Sequence, residues 1–584
     1  MRKTKIICTI GPASEDPKIL KSLLENGANV IRLNFSHGNH EEHGRRIALV
    51  KEIREALDLP VAILLDTKGP EIRIGKFREG KVQLTEGQKF ILTTEDIEGD
   101  ETIVSVLFEE ITKDVHKGAT ILLDDGLVEL LVEDITENEV HCKVINGGTL
   151  GSGKGVNIPG ISTSLPAITL KDIEDIKFGI EQGVDYIAAS FVRKPADVLA
   201  IREVLEENKG NEIKVIAKIE NQEGLENIDD IIKVSDGIMI ARGDLGVEIP
   251  TEDVPVAQKN IIKKCLEASK PVIIATQMLD SMIRNPRPTR AETSDVANAI
   301  YDGTDAIMLS GETAIGKYPL EALRTMARIA ERVENSIDYI AAFEKRIVGQ
   351  EATVTNSISH ATCAIAHDLS AKAIITATRT GHTARMVSKY RPASPIIATT
   401  TSDATYRELS LVWGVRPYIS PDMDNTDEMI EKSVEIATKT GLVKPGDVVV
   451  ITAGVPVGIS GLTNLIKVNV IGDILAKGTG IGTRSTYGKV CVISNVMDAR
   501  EKFQEGDIIV AKSTDNSLLP FIKKATAIIT EEGGVTSHAA IVGLSLEIPT
   551  IVGAKEITEM LYDGMCVTID PIKGFVYNGK SKVV

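Results

Sequence analysis

The sequence predicts an α/β protein built on a closed (β/α)8 TIM barrel, with an inserted β-barrel-like lid domain, a separate α/β domain and a compact C-terminal domain. Two observations predict the barrel. Eight short apolar runs, rich in valine and isoleucine, punctuate residues 1–340, and an amphipathic helical stretch follows each. The runs are continuous rather than alternating, as expected of strands buried on both faces of a parallel sheet. Eight such units fit a closed barrel better than an open sheet.

The runs fall at residues 6–10, 30–33, 61–65, 186–189, 215–219, 237–240, 272–275 and 306–309. About 120 residues separate the third from the fourth, where a barrel loop normally takes a few. That stretch, residues 71–166, reads as all-β, with strands near 90–93, 102–108, 119–123, 127–132 and 139–144 and turn signals such as Asp124-Asp125-Gly126. It is an insertion after the third barrel strand, positioned to cover the carboxyl ends of the strands. The barrel therefore occupies residues 1–70 and 167–340. Residues 341–473 repeat the strand–helix pattern, with strands at 373–378, 395–399 and 448–452. Residues 474–584 are expected to hold a linker, rich in Gly, Ser and Thr over 477–488, and a compact fourth domain.

Composition limits the function. The 584 residues carry a net charge of −17 with only 4% aromatic residues. This disfavours general binding to nucleic acid or to anionic membrane. The uncharged stretch 448–466 contains Gly454, Pro456, Gly458 and Gly461 and reads as a strand and loop rather than a membrane span. The short apolar run after the basic N-terminus does not match a secretory signal. Six scattered cysteines read as reduced core residues of a cytoplasmic protein.

The ends of the predicted barrel strands carry the chemistry. They bear Arg32, Asn34, Ser36 and His37, then Asp66, Thr67, Lys68, Glu71 and Arg73. Ser190 and Arg193 follow, then Lys218, Glu220, Arg242, Asp244, Thr276, Gln277, Ser310 and Glu312. Arg32, Arg73, Lys218 and Arg242 suit a multiply charged anion such as phosphate. Glu220 and Asp244 are hard oxygen donors that suit Mg²⁺ or Mn²⁺. Asn34, Ser36, Asp66 and Thr67 offer oxygens for a larger monovalent cation. Each residue alone reads equally as an ion pair closing the barrel end, but seven polar strand ends together point to a phosphate and metal site.

Three motifs carry less than they suggest. Residues 148–155, GTLGSGKG, approach a P-loop but lack the final Ser/Thr, and Asn157-Ile158-Pro159-Gly160 stands where a helix should begin. Gly478-Thr479-Gly480-Ile481-Gly482 reads as linker. His37, His40 and His43 lack the carboxylate context of a zinc site and read as a helix surface.

On the strings IRLNFSHG, LDTKGPEIRIG, KGVNIPG, KIENQEG, IMIARGDLG, ATQMLDSM, NPRPTRAE and MLSGETAIGKYP, residues 1–340 closely resemble the pyruvate kinase family. The resemblance extends to about residue 473. It implies phosphoryl transfer between phosphoenolpyruvate and ADP, giving pyruvate and ATP, in a regulated glycolytic homotetramer. It also implies that Lys218, Thr276, Arg32 and Arg73 are catalytic, and that Lys218, Gly243, Asp244 and Thr276 bind substrate. Arg32, Asn34, His37, Arg73, Lys154 and Asn157 would contact nucleotide or phosphoryl groups. Glu220 and Asp244 would hold Mg²⁺ or Mn²⁺, and Asn34, Ser36, Asp66 and Thr67 would hold K⁺. Glu71 matches the position where glutamate accompanies potassium dependence.

Thr378, Arg379, Thr380, Gly381, His382 and Thr383 form a hydroxyl-rich turn between a strand and a helix, suited to an anion. The family binds an effector phosphate at the matching place. The loop 453–463 lacks the tryptophan and arginine of fructose-bisphosphate-regulated members, which points to a sugar monophosphate or AMP. In the last domain, GGVTSHAAI (residues 533–541) resembles the phosphohistidine motif of phosphoenolpyruvate-utilising enzymes, with His538 as the matching histidine. No nucleotide-binding partner domain accompanies it, so a packing role is the expectation. A phosphotransferase working through His538 and a non-catalytic metabolite sensor are the competing readings.

Overall fold

Eight parallel strands close into a barrel: β1 (Lys5–Thr9), β2 (Val30–Asn34), β3 (Ala62–Asp66), β4 (Tyr186–Ala189), β5 (Lys214–Ile219), β6 (Gly237–Ala241), β7 (Val272–Ala275) and β8 (Ala306–Leu309). The computed structural model describes residues 2–345, 352–423, 425–455, 462–472 and 474–580. β1 pairs with β8, Lys5 opposite Ala306, which completes the ring. Alternate side chains part to two cores, as strand geometry requires. Ile7, Val30, Leu64, Tyr186, Met239, Ile273 and Met308 fill the barrel interior. Ile6, Ile31, Leu65, Ile187 and Ile240 pack outward against the helices.

The insertion has its own core, centred on Phe90, Ile121, Leu130 and Val140. Its seven-stranded sheet runs in the order Ile72–Arg73, Gly155–Asn157, Thr120–Leu123, Val128–Ile135, Glu139–Asn146, Lys89–Thr93, Ile103–Ser105. The first and second strands are the entry and exit of the insertion. They pair antiparallel, Gly155 opposite Arg73, so the domain hangs on a two-strand stem. The segment resembling a P-loop forms two strands, Gly148–Gly151 and Gly155–Asn157, and no helix follows it. After the stem, Thr169 and Asp172 form a capping box on helix Leu170–Glu181, and Asp172 also accepts the Gly69 N–H at 3.0 Å. One carboxylate therefore ties both crossings of the chain.

The described structure falls into two compact units. The first comprises the barrel and insertion together with residues 380–391 and 402–419. The sequence reading places those two segments in a domain spanning 341–473, and buried polar contacts tie them to the barrel. Arg391 Nη2 donates to Asp305 Oδ2 at 2.8 Å, the Trp413 N–H to Asp305 Oδ1 at 3.1 Å and Arg407 Nε to Asp185 Oδ1 at 2.7 Å. Tyr186, inside the barrel, donates its hydroxyl to the Glu408 carbonyl at 2.6 Å, and Leu411 joins the barrel-interior cluster. Aspartates and a tyrosine at the amino ends of β4 and β8 thus recruit these segments.

The second unit contains two sheets. In one, Ile396–Thr400, Ala373–Ala377 and Val448–Ala453 run parallel and Leu465–Val470 returns antiparallel. The other has eight strands in the order Ile474–Lys477, Phe575–Asn578, Cys566–Asp570, Thr486–Ile493, Ile508–Ala511, Ala527–Thr530, Thr550–Val552, Thr479–Ile481. Much of the expected linker over 477–488 is therefore strand, with residues 482–485 connecting two of the strands. Its glycines serve close approach rather than flexibility. A Cβ on Gly480 would lie 1.9 Å from the Pro571 carbonyl oxygen, and one on Gly478 2.6 Å from that of Val552. The six cysteines are free thiols, and among the described residues no helix is long and apolar enough to cross a membrane.

This packing yields a prediction. Gly480→Ala should open the C-terminal sheet and make residues 474–580 sensitive to limited proteolysis. A chain whose proteolysis and unfolding are unchanged by the substitution would restore the linker reading.

Candidate active site

The carboxyl ends of β2, β3, β4 and β5 converge on one buried ionic network. In-register pairing sets it up: Asn34 lies opposite Asp66, and Asp66 opposite Ala188. Asp66 ends β3 and is 1% exposed. It accepts from Arg32 Nε at 2.5 Å, from Lys218 Nζ at 3.1 Å and from Ser190 Oγ at 3.2 Å. Lys218 also donates to Ser190 Oγ at 2.7 Å and pairs with Glu220 at 3.0 Å. Burial alone would raise the Asp66 pKa, but the charges of Arg32 and Lys218 outweigh it and hold the carboxyl below its ordinary value. Burial would likewise strip the Lys218 proton, and the Asp66 and Glu220 charges reverse that, raising its pKa.

Glu220 behaves differently. Burial first, and then the Asp244 charge, push it up to about 7 against the pull of Lys218. Asp244, in the first turn of helix Arg242–Glu248, is also raised, by burial and by Asp125 of the insertion. Two carboxylates kept at a high proton affinity by burial and by other carboxylates form a donor set short of positive charge. That fits a divalent cation, which commonly takes one or two protein carboxylates and completes its shell with water and substrate oxygens. No group of three or more His, Cys, Asp or Glu is gathered for a metal among the described residues, so this pair is the candidate.

Backbone strain marks the same rim. Phe191, Thr276 and Gln277 have φ of +55°, +66° and +55°, a region that non-glycine residues rarely occupy. The Phe191 N–H donates to Glu220 Oε2 at 2.6 Å, which fixes that carboxylate. The Thr276 hydroxyl accepts the Gly243 N–H at 2.7 Å and donates to the Ala275 carbonyl at 2.6 Å. Arg242, read from sequence as an anion contact, instead pairs with Asp295 at 2.7 Å and donates to the Thr276 carbonyl at 2.8 Å. It buttresses the strained turn.

A cleft of about 470 Å³ separates the insertion from the barrel and adjoins this network. Arg73, Lys154 and Asn157 reach it from the insertion, and Asp244 from the barrel. Arg73 makes a bidentate pair with Glu71, at 2.7 and 2.9 Å, and donates to the Gly153 carbonyl at 2.6 Å. Lys68 also reaches Glu71, at 3.2 Å. Lys154 pairs with Asp124 at 2.8 Å, and Asn157 donates to Glu248 at 2.8 Å.

Asp124 and Asp125, which read as a turn in the sequence, line the cleft. Their φ values, +53° and +55°, hold both side chains in the cleft wall. Two consecutive acids before a glycine were the available signal. Ser190, a strand-end residue to which the sequence assigns no role, bridges Asp66, Lys218 and the Thr67 carbonyl.

Asn34 Oδ1 accepts the Ser36 N–H at 3.1 Å, and Thr67 is buried beside Ser190. Asn34, Ser36, Asp66 and Thr67 thus occupy adjacent strand ends, Ser36 on the exposed side. His37 is exposed and offers its carbonyl to His43 Nε2 at 2.8 Å. His43 is buried and stacks on Phe35 at 4.0 Å, so the expected helix-surface position does not hold for it. His40 stacks on Phe178 and bonds Asp175 at 2.7 Å.

The effector residues divide between the two units. Thr378, whose N–H bonds the Thr399 carbonyl at 2.9 Å, and Arg379 belong to the second. Thr380, Gly381, His382 and Thr383 belong to the first. Gly381 has φ +74° and precedes helix His382–Ser388. Thr383 is buried, and burial with the Arg385 and Lys389 charges lowers the His382 pKa. Of the loop 453–463, residues 456–461 lie outside the described residues. His538 begins helix His538–Ser545, with Nδ1 2.9 Å from Thr514 Oγ1 and Nε2 3.1 Å from Asn516 Oδ1. Both ring nitrogens of His538 thus have a hydrogen-bonding partner.

The comparisons with known proteins agree in direction. Residues 1–323 match the model of the pyruvate kinase barrel domain, 356–469 that of the pyruvate kinase alpha/beta domain, and 503–574 that of the mobile domain of PEP-utilising enzymes. The chain is 53% identical to the pyruvate kinase of Sporosarcina psychrophila and 54% to that of Bacillus licheniformis, with all of each chain covered. It is similar to the crystal structure of a pyruvate kinase from Cryptosporidium parvum. That likeness has 42% identity and a TM-score of 0.77, and covers 80% of this chain and 96% of the other.

The Glu220 shift gives a test with a definite sign. A carboxyl raised to about 7 is partly protonated near pH 6.5, and a divalent cation binding to it must expel that proton. Titrating the protein with Mn²⁺ in weak buffer at about pH 6.5 should release protons, and Glu220→Gln should release fewer. Equal release from both proteins would remove Glu220 from the metal site.

Proposed function

The chain belongs to the pyruvate kinase family and is a phosphotransferase, and we propose that it moves the phosphoryl group of phosphoenolpyruvate to ADP through the network centred on Lys218. The observation that carries this reading is the buried set Lys218, Asp66 and Glu220, with Asp244 and the strained Thr276 on the same rim. In the transfer, the bond between phosphorus and the enol oxygen breaks. A bond to an oxygen of the ADP β-phosphate forms. The enolate is then protonated on carbon to give pyruvate.

This chemistry needs positioning and charge compensation more than covalent help. The Lys218 ammonium, kept protonated by Asp66 and Glu220, compensates charge on the phosphoryl oxygens. Arg32 acts beside it, and Gly243, Asp244 and Thr276 border the substrate. The Thr276 hydroxyl, bonded to the Gly243 N–H, starts the proton relay to the enolate. Arg73, Lys154, Asn157, Asn34 and His37 contact nucleotide and phosphoryl oxygens, and the inserted domain excludes water from the cleft.

Glu220 and Asp244 would hold Mg²⁺ or Mn²⁺, which neutralises phosphoryl oxygens when bound. Asn34, Ser36, Asp66 and Thr67 would hold K⁺, and Glu71 marks potassium dependence. The residues 378–383 would take a phosphorylated effector, a sugar monophosphate or AMP. The family resemblance supports a cytoplasmic homotetramer acting in glycolysis. His538 stands outside this chemistry: its ring nitrogens are engaged by Thr514 and Asn516 of its own domain.

The decisive experiment is ATP formation from phosphoenolpyruvate and ADP with Mg²⁺ and K⁺. Lys218→Met should lower turnover by roughly 10²–10³, the scale of losing one transition-state donor. His538→Ala should leave turnover unchanged. Loss of activity in His538→Ala would instead favour the histidine phosphotransferase, and an inactive native chain would favour a sensor. Thr378→Ala with Thr383→Ala should abolish activation by sugar monophosphate or AMP while maximal turnover persists. Activation surviving that pair would remove the effector assignment.

A further inference from the structure

The chain crosses between barrel and insertion twice, and one short loop touches both crossings. That loop, residues 190–194, joins β4 to helix Pro195–Glu207. At the entry crossing Gly69 has φ +72° and lies close against it. A Cβ there would stand 2.8 Å from the Ser190 Cβ and 2.9 Å from the Phe191 ring. At the exit crossing, residues 161–166 form no regular element, so their carbonyls need partners from elsewhere. Arg193 provides them. Its Nη1 donates to the Thr163 carbonyl at 3.0 Å, and its Nη2 to those of Leu165 at 2.9 Å and Pro166 at 3.1 Å.

The loop is itself fixed on the barrel. Arg193 is buried, and its backbone N–H donates to Asp197 Oδ2 at 2.9 Å. Asp197 also faces the guanidinium, 3.5 Å from Nε. The Arg193 carbonyl accepts from Asn227 Nδ2 at 2.9 Å. The Val192 carbonyl is crowded by Gly224, where a Cβ would stand 2.5 Å away. Two residues before Arg193, the strained Phe191 gives its N–H to Glu220. Along the exit crossing the grip changes hands. Ser162 bonds Glu223 of the barrel at 2.9 Å. Ser164 instead takes Asp114 of the insertion, through its N–H at 2.7 Å and its hydroxyl at 3.0 Å. Arg193 holds the carbonyls on either side of Ser164.

Phe191 and Arg193 stand two residues apart in a loop whose backbone is bound on both sides, so a shift at one is carried to the other. A guanidinium spanning three carbonyls is a stiff link, because its fork is planar and its donors are fixed. We propose that Arg193 is a positioning residue, which ties the placing of the inserted domain to the Glu220 carboxylate through Phe191. The inference rests on the reading of Glu220 as a ligand of the divalent cation. A cation seated on Glu220 constrains the carboxylate and the Phe191 N–H bound to it, and the loop passes that constraint to residues 161–166. The insertion carries Arg73, Lys154 and Asn157 on its wall of the cleft. The link therefore sets where those groups stand relative to the barrel.

The test uses the full chain with Mn²⁺ alone and follows backbone hydrogen exchange of residues 161–169 by mass spectrometry. In the native chain Mn²⁺ should slow exchange in that segment. Arg193→Gln should still bind Mn²⁺ but lose the slowing, and its turnover should fall by roughly tenfold or more. Arg193→Lys keeps the charge but reaches fewer carbonyls, so it should recover part of both. Asn227→Ser leaves the guanidinium in place and loosens only the loop. It should lose part of the slowing with an unchanged thermal midpoint, and it carries the test if Arg193→Gln unfolds. Equal slowing in native, Arg193→Gln and Asn227→Ser chains would overturn the coupling, as would Mn²⁺ binding to the native chain without slowing. Mn²⁺ affinity unchanged by Glu220→Gln would instead remove the metal reading, and the coupling with it.

Discussion

The candidate active site depends on one constraint: Asp66 cannot be buried at the end of β3 as a bare carboxylate. Arg32 and Lys218 satisfy it from the flanking strands. Each ion pair removes a charge from water, a penalty of several kcal/mol per ion that only good geometry and further hydrogen bonds recover. Ser190 supplies such a bond to both Asp66 and Lys218. The network therefore holds Lys218 protonated and immobile before any ligand arrives. It also sets the unequal status of the carboxylates: Asp66 carries full compensation, whereas Glu220 and Asp244 are left with raised proton affinities. One lysine shared among three acids leaves Asp66 compensated and leaves Glu220 and Asp244 with the proton affinity that suits a divalent cation.

The cleft extends the same logic to the insertion. Arg73 is held by Glu71, and Lys154 by Asp124. An anionic ligand engaging either cation exchanges one anionic partner for another, so little positive charge needs to be desolvated afresh. The strained φ values at Phe191, Thr276 and Gln277 hold backbone groups where relaxed strand ends would not place them. Binding geometry is thus laid down by folding, in line with the positioning role that phosphoryl transfer asks of a protein.

The barrel was legible because continuous apolar runs and their helices obey local periodicity. The polar strand ends were legible because strand direction in a barrel puts every carboxyl end on one face. What stayed hidden depends on contacts distant in sequence. Nothing local tells that Arg242 turns to Asp295, or that His43 is buried on Phe35. Asp124 and Asp125 look like any tight turn until the insertion is placed over the barrel. The segments 380–391 and 402–419 follow an α/β rhythm, yet Asp185 and Asp305 draw them to the barrel. Glycines at 478 and 480 suggest flexibility by composition, whereas their partners 70 to 100 residues away demand close packing.

Those glycines have a consequence for the C-terminal sheet. Ile474–Lys477 and Thr479–Ile481 stand at the two ends of the strand order, yet only Gly478 separates them in the chain. A single peptide thus spans both borders, and it covers the edges of Phe575–Asn578 and Thr550–Val552 by pairing with them. An uncovered strand edge is a template for pairing with other chains. Cutting the chain within this glycine-rich stretch to isolate the last domain would strip both borders at once. An independently soluble fragment has to begin before Ile474.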